Sequence, residues 1–228
     1  MGLVMVGAIE TNQSESTLAD TTPIARLTTE PLVVVVPEDS PYETIEDLVA
    51  DVAERGQAIS ITGGSAGGAD HILAGLMLKE DGVSAQEIAS KLNYIPYSGG
   101  GESLAALLGG KVDAGISGVG EYAEQVKAGK LRALATSGEK PSAALPDVPT
   151  LQEGGIDVVL TNWRGVVAPG NIDDTKTEEL IGLVEDLHDT DAWASTLEQN
   201  NWEDAFLTGD EFEASLEEET TTVRQTLA

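Results

Sequence analysis

No cysteine occurs among the 228 residues, which excludes a disulfide framework and any metal site built on thiolates. Histidine is almost as scarce. His71 and His188 are the only two, so no zinc site is expected, and nothing else in the sequence implies a metal or a cofactor. Positive charge is the third shortage: twelve Lys and Arg face forty Asp and Glu, a formal net charge of −28. A surface of that sign excludes general nucleic-acid binding and reads as a heavily solvated exterior suited to export or to high salt. Long hydrophobic runs are missing too. None approaches the roughly 18 residues of a membrane helix, so no transmembrane segment is expected.

What is present is enough to fold. Hydrophobic residues make up 41% of the chain, which supports a buried core in one large α/β domain or two small lobes. The stretch from Met1 to Ile9 has no basic flank and is cut short by Glu10, so it does not read as a signal peptide. It reads as a buried strand, and a domain rarely begins on one, so residues upstream of it are expected. Thr11 to Thr22 is polar and loop-like.

Pro31 to Pro37 encloses four consecutive valines after Leu32, a strand apolar on both faces. Ser40-Pro41-Tyr42-Glu43 predicts a helix start whose apolar face is Ile45, Leu48, Val49 and Val52, ended by Gly56. Strands are expected at 58–62, 92–96, 112–116 and 131–136, with helices between them. A proline-bearing connection leads to two more strands, 158–160 and 164–168. Past Pro169 the chain is expected to be helical and acidic, with capping signatures at Thr175/Glu178 and Thr208/Glu211 and apolar faces of Leu180, Val184 and Leu187, then Phe212, Leu216 and Val223. Strands alternating with helices give an α/β fold with mainly parallel sheets.

Three glycine-rich turns follow strands and open helices. The first is Gly63-Gly64-Ser65-Ala66-Gly67-Gly68, just ahead of Asp70 and His71. The second is Ser98-Gly99-Gly100-Gly101, and the third is Ser117-Gly118-Val119-Gly120. In α/β sheets ligands sit at this edge, where free backbone N–H groups and the helix dipole favour an anion. Glycine lets the backbone come close to a ligand. Three such turns at matching positions predict one shared binding site. None of them holds Lys or Arg, so an anion would be bound by neutral dipoles, each bond to a charged group contributing about 1.5–3 kcal/mol. Asp70 reads as favourable charge at a helix start. His71 either contacts ligand or bonds a loop carbonyl. Arg164, beside Trp163 and Asn162, is either a ligand clamp or half of a structural ion pair.

Gly63-Gly64-Ser65-Ala66-Gly67 also matches G-x-S-x-G, the nucleophile elbow of serine hydrolases. That reading places an esterase nucleophile at Ser65. Against it, His71 is too near in sequence to lie across from the serine, His188 sits in an acidic helix, and no glycine-rich oxyanion segment is present.

The segments 95–102 (IPYSGGGE), 107–114 (LLGGKVDA), 127–135 (KAGKLRALA) and 144–151 (ALPDVPTL) together resemble the substrate-binding proteins of tripartite tricarboxylate transporters. The resemblance spans nearly the whole chain. It implies a two-lobed periplasmic-binding-protein fold (type II, Venus-flytrap), with a first lobe formed by 1–36 plus 164–228 and a second by 37–163. It implies capture of a small organic carboxylate, delivery to membrane permease subunits, no catalysis, and a periplasmic or cell-surface location. By likeness, Gly63, Gly64, Ser65, Gly67, Gly68 and His71 belong to the ligand loop of the second lobe. Ser98, Gly99, Gly100, Ser117 and Gly118 are its neighbours, and Pro31 to Pro37 and Arg164 to Pro169 are the two strands crossing between lobes; Asn162, Trp163 and Arg164 are further candidate ligand contacts. The family opens with an export signal, then a first-lobe strand and a ligand-gripping loop, and these have no counterpart here. The first lobe is therefore expected to be incomplete, which leaves a truncated, non-binding relative as an alternative.

Overall fold

The computed structural model describes residues 2–10 and 15–227. Leu3–Glu10 forms a helix (α1), with Leu3 and Val6 buried. This corrects the expected opening strand. A short apolar run does not separate a buried strand from a buried helix, and Leu, Met, Ala and Glu all favour helix. Part of the expected loop, 11–14, lies outside the described residues. A single long strand, β1 (Thr21–Pro37), then runs through both Pro23 and Pro31. Helix α2 (Ile45–Arg55) buries Ile45, Leu48, Val49 and Val52 and ends on Gly56 at φ +58°, as the pattern predicts. Its N-cap is Thr44, not Ser40: the Thr44 hydroxyl accepts the Asp47 N–H at 3.1 Å, and Asp47 returns a bond to the Thr44 N–H at 2.9 Å. A reciprocal capping box satisfies two end donors, and Ser40 offers no such pair.

Next come β2 (Ser60–Gly63), α3 (Ala69–Glu80), α4 (Ala85–Lys91) and β3 (Asn93–Pro96). They are followed by α5 (Gly100–Leu108), β4 (Ala114–Gly118), α6 (Val119–Lys127) and β5 (Leu131–Thr136). The two expected strands near 158–168 are one strand, β6 (Thr161–Pro169). Helices α7 (Asp174–His188) and α8 (Asp191–Asn200) follow, then β7 (Glu203–Thr208) and α9 (Gly209–Leu227). Helix α7 is capped by Asp173, which accepts the Lys176 N–H at 2.8 Å, so Thr175 is inside the helix. β7 interrupts the expected all-helical tail. Its sequence, EDAFLT, is too polar to show a strand, and its pairing with β1 supplies what local pattern does not.

The chain divides into two compact units. Residues 31–161 form one of them. Its sheet has the order β3-β2-β4-β1-β5. β2 is parallel to β3 and β4, while β1 is antiparallel to β4 and β5, so the sheet is mixed where mainly parallel pairing is expected. The reason is that β1 enters the middle of the sheet from the opposite direction. Val33 to Val36 are fully buried there. Around Val33 and Val35 pack Leu107, Val112, Val119, Tyr122, Leu131 and Leu145.

Residues 1–30 and 162–228 form the second unit. There the early part of β1 pairs antiparallel with β7, Ala25 opposite Thr208, with a bulge between Arg26 and Thr28. β6 also pairs with β1. Ile24, Ala25, Ala168 and Val184 make a small core. Leu187, expected on the apolar face of α7, is 45% exposed. Phe212, Leu216 and Val223 on α9 are buried as the helical spacing predicts.

Candidate functional site

Because β2, β3 and β4 are adjacent and parallel, their carboxyl ends share one edge of the sheet. The three glycine-rich turns leave from that edge. They meet: a Cβ placed on Gly64 would lie 3.3 Å from the Gly99 Cα, and one on Gly100 would run into the Glu121 carboxylate. The third turn is tighter than expected. Ser117 and Gly118 are the last residues of β4, Gly118 is the N-cap of α6, and the strand passes into the helix without a loop.

The first turn is built around Asp70. This carboxylate is 8% exposed at the start of α3 and accepts the Gly64 N–H. Burial pushes its pKa upward, and backbone N–H groups together with Tyr94 pull against that shift. The Tyr94 hydroxyl lies 3.1 Å from Asp70 Oδ2 and 3.0 Å from the Ser65 carbonyl, and burial raises its pKa as well. His71 stacks flat on Tyr94, with centroids 4.3 Å apart and planes 5° apart. Its Nδ1 accepts the Gly67 N–H at 3.0 Å, so it bonds a loop amide and not the expected carbonyl. Gly67 sits at φ +73°, where a side chain would be strained. Gly63 and Gly68 are buried, and Gly68 is the N-cap of α3. Ser65 is half-buried against Gly68.

The second and third turns follow the same principle. Ser98 is exposed and gives its N–H to Glu102 at 3.1 Å. Gly99 has φ +150°, and Gly100 begins α5. Ser103 of α5 is buried and joins the Gly100 carbonyl at 2.9 Å and the Tyr122 hydroxyl at 2.6 Å. Ser117, 4% exposed, donates its hydroxyl to Glu121. So Gly64, Gly67, Ser98 and Ser117 spend their donors on this chain's own side chains. The acceptor stands four residues downstream for Gly67, Ser98 and Ser117, and six downstream for Gly64. The first amides of α5 remain without intrahelical acceptors, as at any helix start.

The remaining three candidates belong to the other unit. Asn162 donates to Glu30 at 3.3 Å, while its buried Oδ1 has no hydrogen-bond partner. Trp163 is 2% exposed, donates its indole N–H to Glu219 of α9 and meets Phe212 edge-on at 5.8 Å. Arg164 is exposed and lies 3.5 Å from Glu30, the ion-pair arrangement. His188, the second histidine, contacts Asp204 at 3.0 Å and stacks on Phe206. Among the described residues no His, Cys, Asp and Glu group could hold a metal ion, and no helix is long and apolar enough to cross a membrane.

The family described as "Tripartite tricarboxylate transporter family receptor" matches residues 11–224. A UPF0065 protein in the gbd 5′ region of Cupriavidus necator is 35% identical over 75% of this chain and 47% of its own length. BugT of Bordetella pertussis is 31% identical over 68% of this chain and 46% of its own length. The chain thus spans about half the length of these curated relatives. Among solved structures, a TctC solute-binding protein from Polaromonas without ligand superposes with a TM-score of 0.77 and 24% identity, covering 100% of this chain and 76% of that one. MatC from Rhodopseudomonas palustris with bound malate gives a TM-score of 0.79 at 19% identity, covering 100% and 77%. At these identities the superpositions establish the fold, that of periplasmic binding proteins.

Proposed function

We propose that this chain, which belongs to the tripartite tricarboxylate transporter receptor family, captures a small organic carboxylate outside the cytoplasm and hands it to a membrane permease. Family and fold are those of transport receptors and not of enzymes. The observation that carries the reading is the convergence of the three strand-to-helix turns at one sheet edge, Gly64 against Gly99 and Gly100 against Glu121. MatC, which shares the fold, holds malate, and this supports a carboxylate as the ligand class. The proposed contacts are Gly63, Gly64, Ser65, Gly67, Gly68, His71, Ser98, Gly99, Gly100, Ser117 and Gly118. Asn162, Trp163 and Arg164 are secondary candidates. The surface charge of −28 does not oppose this, because in salt distant charge is screened within about 8–10 Å while hydrogen bonds act at contact.

The experiment is thermal unfolding in ample salt with a panel of di- and tricarboxylates. A ligand at a hundred times its Kd stabilises by about 2.7 kcal/mol. For a chain of this length that is a shift of roughly 5–11 °C. A cooperative melt that no carboxylate shifts would overturn the reading. Hydrolysis of an activated ester that disappears in Ser65→Ala would replace it with the esterase reading.

A further inference from the structure

Glu121 stands where the second and third turns meet. Its carboxylate accepts the hydroxyl of the buried Ser117 and presses on the first residue of α5, so closely that a Cβ on Gly100 would stand 1.7 Å from Oε2. The residue as a whole is nonetheless exposed. Beside it there is room: a Cβ on Gly99 or Gly101 would meet nothing within 4 Å. No Lys or Arg occurs in any of the three turns.

We propose that Glu121 determines specificity at this site, selecting a ligand with a hydrogen-bond donor, hydroxyl or ammonium, on the carbon next to its carboxylate. The inference rests on the receptor reading above. A ligand carboxylate seated on the first amides of α5 lies beside a protein carboxylate, and like charges at contact oppose binding. An ionised carboxylate is acceptor-only with about four acceptor positions, and the Ser117 hydroxyl fills one of them. Ser117 has a single proton and it is already committed. The ligand must therefore bring the donor that separates the two carboxylates. A substituent one bond from the ligand's carboxyl carbon reaches Glu121 while the carboxylate stays on the helix start. An unsubstituted dicarboxylate has no such group.

The test is calorimetric titration of the full chain in molar salt with L-malate, L-aspartate and succinate, for the wild type, Glu121→Gln and Glu121→Ala. Circular dichroism checks that both variants fold. The wild type is expected to bind malate or aspartate at least tenfold tighter than succinate. Both variants are expected to narrow that ratio to threefold or less. Preference for aspartate identifies the donor as ammonium, and preference for malate identifies it as hydroxyl. Equal binding of all three by the wild type, or a ratio that survives both substitutions, overturns the inference and leaves the receptor reading standing. Failure of all three probes to bind the wild type overturns the inference, and the receptor reading is then decided by the wider carboxylate panel.

Discussion

His71 accepts the Gly67 amide proton through Nδ1 at 3.0 Å, which places the imidazole's own proton on Nε2. Protonating Nδ1 would set a donor against a donor. Burial already holds the His71 pKa below its usual 6.5. The folded chain therefore takes this proton less readily than the unfolded one, and stability falls as pH drops below about 6.5. Nitrogen chemical shifts should report the neutral Nε2–H tautomer at pH 7, with a midpoint below the usual histidine value. A midpoint at or above that value would contradict the geometry.

Gly63 has no room for a side chain. A Cβ there would stand 2.2 Å from the Tyr94 hydroxyl oxygen and 2.3 Å from Asp70 Oδ2. Gly63→Ala is expected to cost about 1–3 kcal/mol through overpacking. Gly101→Ala meets nothing within 4 Å and is expected to be neutral or slightly stabilising, since alanine is the better helix residue. Denaturant midpoints at constant m distinguish the two.

Ser137 is fully buried and serves two segments. Its hydroxyl accepts the Leu32 N–H at 2.9 Å and donates to the Leu160 carbonyl at 2.5 Å. Ser137→Ala leaves both backbone groups without this partner, and about 1–3 kcal/mol is the expected loss. Faster amide exchange at Leu32 is the local signature; unchanged exchange there would count against the role.

Glu219 accepts the Trp163 indole N–H, and burial pushes its pKa up from 4.5 to about 7. Between these values the unfolded chain has lost the proton and the folded chain keeps it. Stability is therefore fully present below about pH 4.5 and falls as pH rises through 7. At about 1.4 kcal/mol per pH unit the span is about 3 kcal/mol at most. Glu219→Gln keeps an acceptor for the indole and should flatten this part of the stability–pH curve. A curve of unchanged slope would show that Glu219 ionises freely in the fold.

The alternation of strands and helices and the three glycine turns were legible because they rest on local features: apolar period, glycine, and chain order. So was the family, carried by motifs that survive in one dimension. The four valines of β1 announced a buried strand, though their antiparallel entry into the sheet did not show.

The remainder depends on contacts between residues far apart in sequence. Leu3 to Glu10 is apolar enough for either a strand or a helix, and the structure makes it a helix. EDAFLT becomes β7 only because β1 lies alongside it. The partners of the turn amides were equally hidden. That Asp70 takes the Gly64 N–H, His71 the Gly67 N–H and Glu121 the Ser117 hydroxyl follows from where helix starts fall against strand ends. By itself, the sequence determined which hydroxyls and flexible glycine amides the three turns carry. Tertiary structure decided which of them already hold a partner, because a hydrogen bond forms only where donor and acceptor meet within about 3 Å.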